Sequence, residues 1–286
     1  MPGYACGMQT SSPVRPSGTS ASVAFRAMHA PGRLVILPNA WDAGSARLVA
    51  ACGAEAIATT SAGLAWSRGY PDGNVLPGAV LEAAVHEIAR VISIPLTVDV
   101  EAGYTADPRR IWELVAIVAQ AGAVGINLED GNDEPELLCA KIAAVRRAAD
   151  AAGIDLFVNA RTDVYLRRLV PAERAADAAI ERARRYHEAG CDGIFVPGVA
   201  APAEISAIVG AIGALPLNVM AIAGLPAADQ LRSLGVRRLS AGSALASAAF
   251  GRARQLATQF LADGRPAQLG DGAISFSEMN ALFSRP

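Results

Sequence analysis

Hydrophobic positions along the chain fall into short apolar runs separated by amphipathic stretches of helical length. Leu96-Thr97-Val98-Asp99-Val100-Glu101 sets the pattern. Side chains alternate across a strand, so Leu96, Val98 and Val100 face one way while Thr97, Asp99 and Glu101 face the other. The run from Ala123 to Asp130 repeats the scheme, with Ile126 and Leu128 on the apolar side and Asn127 and Glu129 on the polar side. Runs of this kind predict strands at residues 34–37, 56–60, 96–100, 123–128, 156–159, 193–196, 216–220 and 236–240. After a lead-in helix at 23–30, helices are expected at about 43–52, 79–92, 107–121, 134–152, 171–189, 202–212, 226–234 and 242–263, with Asp42 as an N-cap and Asp107-Pro108 as a helix start.

Eight successive strand-then-helix units with near-continuously apolar strands predict a buried parallel sheet, and eight is the number that closes a barrel. The expected fold is therefore an α/β (β/α)8 TIM barrel. An open doubly wound sheet is the alternative, but no GxGxxG follows an early strand. Residues 1–20, rich in Ser, Pro and Gly, are expected to be a flexible tail, and 21–286 a single barrel domain with a C-terminal helical extension. That extension is a Gly-rich linker after residue 264 and a short helix at 277–283, suited to a subunit contact.

Composition narrows the classes. With 52% hydrophobic residues and a net charge of −2, the 286-residue chain reads as a soluble globular protein and not as an electrostatic nucleic-acid binder. No apolar run reaches the roughly 18 residues of a membrane span, and the start lacks the apolar core of a signal peptide. Cys6, Cys52, Cys139 and Cys191 are scattered without metal-ligand spacing, which fits reduced thiols and a cytoplasmic location.

Barrel enzymes use the C-terminal strand ends, and polar residues collect there: Asn39 and Asp42, Thr60 and Ser61, Asp99 and Glu101, Asn127 and Glu129, Asn159 and Arg161, Asn218, and Ser240. Adjacent strands would bring Asp99, Glu101 and Glu129 together, a charge costly to bury without a cation. A divalent metal is the economical expectation, and Arg161 beside it is placed to bind an anion bidentately. His29, His86 and His187 fall in helical stretches away from the strand ends, so no histidine acid-base scheme is supported. Cys139 reads as a small buried hydrophobe. Segments 221–224 and 240–243 lie where many barrels bind phosphate, although glycines there also serve turns. The Ser61–Gly78 connection, about 17 residues long, exceeds ordinary strand-to-helix loops. With Trp66, Arg68 and Tyr70 it is the candidate lid.

From about residue 25 to 285 the chain resembles the isocitrate lyase and phosphoenolpyruvate mutase superfamily. The matching pieces are Leu37-Pro38-Asn39-Ala40-Trp41-Asp42, Thr59-Thr60-Ser61-Ala62-Gly63, Gly69-Tyr70-Pro71-Asp72-Gly73, Asp99-Val100-Glu101-Ala102-Gly103-Tyr104, Asn127-Leu128-Glu129-Asp130 and Asn159-Ala160-Arg161-Thr162-Asp163. The resemblance implies a barrel whose last helix is exchanged between subunits of a homodimer or homotetramer. It also implies Mg2+, with Mn2+ as the substitute, holding a small anionic 2-oxo acid or its enolate. By that resemblance Asp99, Glu101 and Glu129 hold the metal directly or through water, with Asp72 supporting the network. Ser61 with the backbone of Ala62 and Gly63, together with Trp41, Arg161, Asn218 and Ser240, would contact substrate, and Arg161, Glu129 and Asp72 carry the catalysis.

The chain departs from the family in two places. Its lyases carry a Lys-Lys/Arg-Cys-Gly-His loop after strand four, where this chain runs Asn132-Asp133-Glu134-Pro135 into a helix. The mutases and phosphonopyruvate hydrolases carry a His-Ser element after strand six, where this chain has Phe195-Val196-Pro197-Gly198. What the shared part implies is a Mg2+-dependent carbon-carbon lyase, cleaving or decarboxylating a small 2-oxo or 2-hydroxy dicarboxylate through an enolate. The alternatives are carbon-phosphorus chemistry, or a barrel that binds a metabolite without turning it over.

Overall fold

The computed structural model describes residues 18–270 and 272–284. Most of the expected tail, and Cys6, lie outside the described residues. Nine strand segments form one parallel sheet: β1 (Val35–Leu37), β2 (Asn39–Ala40), β3 (Ile57–Thr59), β4 (Leu96–Asp99), β5 (Gly125–Glu129), β6 (Phe157–Arg161), β7 (Gly193–Phe195), β8 (Leu217–Met220) and β9 (Arg238–Ser240). The first two are halves of one strand. Pro38 has no N–H to give a ladder, so pairing changes sides across it. β1 pairs with β9 and β2 with β3, which joins the two ends of the sheet into a barrel.

Around the sheet lie α2 (Ala43–Ala51), α4 (Gly78–Val91), α5 (Ile111–Gln120), α6 (Pro135–Ala152), α7 (Ala175–Glu188), α8 (Pro202–Ile212), α9 (Ala228–Ser233) and α10 (Ala244–Asp263). Asp42 caps α2 as expected and does so in a capping box with Ser45. α6 and α8 start with a proline in the first turn, where no N–H is missed. The main core lies between strands and helices, with Ile57, Val98, Ile126, Val158, Ile194 and Val219 fully buried against the helical ring. A second cluster fills the N-terminal end of the barrel. There α1 (Gly18–Met28), which begins at Gly18 and not at 23, sets Phe25 against Val35, Leu37, Val124 and Phe157.

Three local expectations need correction. The connection after β3 is not all loop, since Ser61–Trp66 forms a helix, α3. Gly63 permits it: a Cβ there would lie within 3.0 Å of Thr60, Ala246 and Trp41 side chains. Helix α5 starts at Ile111 and not at Asp107, because the Asp107 carboxylate accepts the Arg109 N–H and closes a turn first. Strand β6 runs on to Arg161, which pairs in register with Glu129. The connection from β5 to α6 is only residues 130–134, as the sequence implied.

α10, a 3-10 turn (Pro266–Gly270) and α11 (Phe276–Ser284) complete the described chain. α11 packs on α2 of the same chain, with Arg47 Nε donating to the Leu282 carbonyl. Phe250, Phe260, Leu261, Phe276 and Phe283 in this region are exposed. Among the described residues no helix is long and apolar enough to cross a membrane, and Cys52, Cys139 and Cys191 are free thiols.

Candidate active site

A cavity of about 190 Å³ opens at the C-terminal strand ends. Its lining includes Asn39, Thr60, Ser61, Ala62, Asp72, Asp99, Asn127, Arg161 and Ser240. The strand alternation read from the sequence therefore holds, because these are the polar positions of successive strands.

Asp99 closes the acidic side. Its backbone N–H donates to Thr59 Oγ1 at 2.8 Å, and its Oδ1 accepts the Glu101 N–H at 3.2 Å. Burial raises its pKa; Asp72 adds to the rise, while Arg161 and the Ser61 hydroxyl oppose it. Arg161 forms the opposite side. Asp163 grips it at Nε and Nη2, at 2.7 and 3.1 Å, and Glu129 holds Nη1 at 2.7 Å. Asp163 is itself fixed by Asp130, which accepts its N–H and is tied to Arg182 and Tyr186. The guanidinium is thus set in one orientation before any ligand arrives.

Glu101 and Glu129 stand behind this lining. Glu101 accepts the N–H groups of Gly73 and Asn74 and the Tyr104 hydroxyl, which fastens the loop carrying Asp72. Burial raises its pKa against the Tyr104 and Asn74 bonds. Burial pushes Glu129 up to about 8 against the pull of Arg161, with Asp99, Asp163 and Glu101 adding to the rise. Among the described residues, no three acidic, His or Cys side chains stand close enough to share one ion. The expected trio of Asp99, Glu101 and Glu129 is therefore arranged as one inner carboxylate with two outer ones.

This arrangement fits Mg2+. The ion binds through one or two carboxylates and keeps several positions for water and substrate oxygens. Asp99 and Asp72 line the cavity with carboxylate oxygens, and burial, with the neighbouring acids adding to it, raises Asp99, Glu101 and Glu129, a cost of charge that a divalent ion would offset.

The other expected contacts divide. Ser61, Ala62 and Ser240 line the cavity, and the Thr60 side chain leaves the first turn of α3 uncapped. Gly63 lies packed beneath, and Asn218 lies below, donating to Ser240 Oγ at 3.1 Å. Trp41 is absent from the lining and stacks obliquely on Phe250, 6.5 Å between centroids. Gly242 N–H is taken by Asn39 Oδ1 at 2.9 Å, which leaves that turn less free for phosphate. Burial raises the Cys139 thiol, in keeping with a packing role. The lining also holds Gly242 and Ser243 of the 240–243 segment, Phe195 of the segment that departs from the family, and Leu166 and Met220, which the sequence did not single out. Their signal was weak, since each is one residue of a loop or strand end with no polar pattern around it.

The chain belongs to the phosphoenolpyruvate phosphomutase family, whose model matches residues 25–261, within the isocitrate lyase and phosphoenolpyruvate mutase superfamily. It is 39% identical over 228 residues to an uncharacterized protein of Mycobacterium tuberculosis, covering 77% of this chain and 82% of that one. With the 2,3-dimethylmalate lyase of Eubacterium barkeri it shares 26% identity, over 88% of this chain and 90% of the enzyme. A crystal structure from Burkholderia cenocepacia J2315, provisionally named a phosphonomutase, superimposes with a TM-score of 0.78 at 42% identity, covering 84% and 99% of the two chains. Phosphonopyruvate hydrolase, solved in complex with oxalate and Mg2+, superimposes with a TM-score of 0.80 at 26% identity, covering 92% and 95%.

Proposed function

We propose that this enzyme is a Mg2+-dependent carbon-carbon lyase that cleaves or decarboxylates a small 2-oxo or 2-hydroxy dicarboxylate, with Mn2+ able to replace Mg2+. The observation that carries the reading is one small cavity walled by Asp72 and Asp99 on one side and by the doubly braced Arg161 on the other. Its volume of about 190 Å³ is below the roughly 300 Å³ at which drug-sized pockets begin, which favours a short-chain acid.

Asp99 and Asp72 would hold the ion, and Glu101 and Glu129 would shape the field around it. Bound there, Mg2+ would act as a Lewis acid toward an oxo group and its carboxylate. Arg161 receives the far carboxylate through the N–H groups that Glu129 and Asp163 leave open. Ser61 and Ser240 hydroxyls supply hydrogen bonds along the substrate. Among the described residues no His, Cys, Lys or Tyr lines the cavity, which leaves an aspartic acid or water as the source of the proton that ends the reaction. Reactions that need only a stabilised enolate and one proton suit such a lining.

A second reading, carbon-phosphorus chemistry, is favoured by the likeness to phosphonopyruvate hydrolase. Calorimetry with oxalate separates metal dependence from its absence, and product analysis separates the bonds. Oxalate should bind at least tenfold more tightly with Mg2+ than with EDTA, and a small 2-oxo acid should be consumed without phosphate release. Equal oxalate binding in EDTA removes the mechanism. Phosphate release from phosphonopyruvate transfers the site to the second reading.

As partners, the reading takes a small anionic acid and a second copy of the chain. The exposed aromatic residues of α10 and α11 support a homodimer or homotetramer, with exchange of the last helix as the proposed form. The free thiols support a cytoplasmic location.

A further inference from the structure

Arg238 is the largest fully buried side chain described. It lies on β9 inside the barrel, below the cavity, where its guanidinium sits over the Phe25 ring at 5.9 Å. Among the described residues no carboxylate pairs with it, and its Nε and Nη1 have no hydrogen-bond partner. Its one side-chain hydrogen bond runs from Nη2 to Asn127 Oδ1 at 3.3 Å. A buried charge without a partner is expensive, and burial pulls its pKa down to about 9 with only Asp99 resisting. A purely structural role at that position would be filled at lower cost by an apolar side chain.

Three asparagines link Arg238 to the cavity. Asn159 Nδ2 donates to Asn127 Oδ1 at 2.9 Å and to Asn218 Oδ1 at 3.1 Å, and Asn218 Nδ2 donates to Ser240 Oγ at 3.1 Å. A carboxamide can be turned end for end, and a chain of carboxamides has two self-consistent directions. A guanidinium only donates and a backbone carbonyl only accepts, so the Arg238 bond to Asn127 at one end and the bond from Asn218 Nδ2 to the Val219 carbonyl, at 2.8 Å, at the other set the same direction. Asn127 Oδ1 must face down and its Nδ2 must face away, toward the cavity that Asn127 lines. Gly193 leaves room for the Asn159 carboxamide beside it, since a Cβ there would lie 2.9 Å from Asn159 Oδ1.

We propose that Arg238 is a positioning residue for the active site, a donor-only group that, together with the Val219 carbonyl at the other end, holds the direction of the Asn127–Asn159–Asn218 ladder so that Asn127 offers an N–H to an anionic oxygen of the substrate. The substrate part rests on the lyase reading above; the direction of the ladder does not. Ser240, at the far end, receives its hydrogen bond by the same polarity and turns its own proton elsewhere.

The test compares Arg238→Met, Arg238→Lys and Arg238→Gln with the unaltered protein. Two readouts are used: calorimetric binding of oxalate with Mg2+, and the side-chain NH2 resonances of Asn127 in the ligand-free protein. Arg238→Met should weaken oxalate roughly tenfold, the worth of one hydrogen bond to a charged group. Arg238→Lys, still a donor, should recover most of the loss, while Arg238→Gln, able to donate or accept, should split or broaden the Asn127 resonances. In an Asn127→Ala background the Arg238→Met loss should vanish, because the group through which Arg238 acts is gone. Unchanged oxalate affinity and unchanged Asn127 resonances in a folded Arg238→Met protein would overturn the inference and leave the lyase reading standing. If the unaltered protein fails to bind oxalate, the lyase reading falls, and the Asn127 resonances still decide whether Arg238 sets the ladder. Should Arg238→Met not fold, the Lys and Gln variants carry the same comparison.

Discussion

The Tyr104 hydroxyl donates to Glu101 Oε1 at 2.6 Å, and both residues occupy the left-handed region, at φ of 55° and 50°. Non-glycine residues reach that conformation at a cost of about 1 kcal/mol or more each, and persist in it only where surrounding bonds over-determine it. Here the bonds are those from Tyr104, Gly73 and Asn74, the last also left-handed at φ 61°. The strained pair therefore clamps the loop that presents Asp72.

Tyr104→Phe should release that clamp without touching the cavity lining. Limited proteolysis within residues 67–77 should accelerate several-fold, and the melting temperature should fall by a few degrees for a loss of about 1 kcal/mol. A loop equally resistant in both proteins would show that Glu101 holds it unaided.

Arg161 is positioned from two sides, so its replacement by lysine should be far from conservative. Lys keeps the charge and loses the fork that meets Asp163 and Glu129 together. Turnover should drop by about 10²-fold or more, equivalent to roughly 3 kcal/mol of transition-state stabilisation. Asp163→Asn should lower turnover in the same direction while the Mg2+ affinity stays nearly constant. Steady-state kinetics with a metal titration distinguishes the two effects.

His29 gives an acid-lability prediction. Burial holds it near a pKa of about 3, with Arg238 also lowering it, against an ordinary value of 6.5. Its ring stacks on Phe157 at 4.6 Å and bonds the Phe25 carbonyl at 2.8 Å. Between those pKa values the unfolded chain binds a proton that the folded chain refuses. The stability present above pH 6.5 is therefore lost as pH falls toward 3, by about 1.4 kcal/mol per unit from this group. Denaturant titrations from pH 7 to 4 should show a shallower decline for His29→Phe than for the unaltered protein. Parallel declines would mean that the folded protein accepts the proton.

Leu261 and Phe276 are 84% and 86% exposed, beyond what isolated surface residues need. Exposed apolar side chains on this C-terminal extension suit the homo-oligomer proposed above. Sedimentation should report a dimer or tetramer, and Leu261→Glu with Phe276→Glu should shift it to monomer with the cavity residues unperturbed.

Much of this was legible in the sequence because strand alternation has a fixed period. Asp99, Asn127, Arg161 and Ser240 share the cavity for that reason, and the eight-unit rhythm specified the barrel. What the pattern could not give is the order of shells. Glu101 reads as an equal of Asp99, yet its reversed backbone turns it to Gly73 and Asn74, and no period encodes a positive φ at a glutamate. Trp41 came with its motif and from no period, and its ring meets Phe250 on a helix far along the chain. Arg238 had a visible signal, a basic residue inside the run Val236 to Ser240, but a strand basic residue is usually an outward one.

The split first strand has a consequence for how the molecule forms. Its halves meet the last strand and the third segment, and Asn39 is joined to Gly242, 203 residues away. The other pairings join strands consecutive in the chain, through shorter closures that cost less entropy, whereas this seam needs nearly the whole chain in place. The ring should zip from within and shut last at Pro38, with the arrival of β9 as the slow phase. A ribosome-bound chain ending before Arg238 would then hold an open sheet with two bare edges, which makes the final stretch of synthesis the interval of greatest aggregation risk.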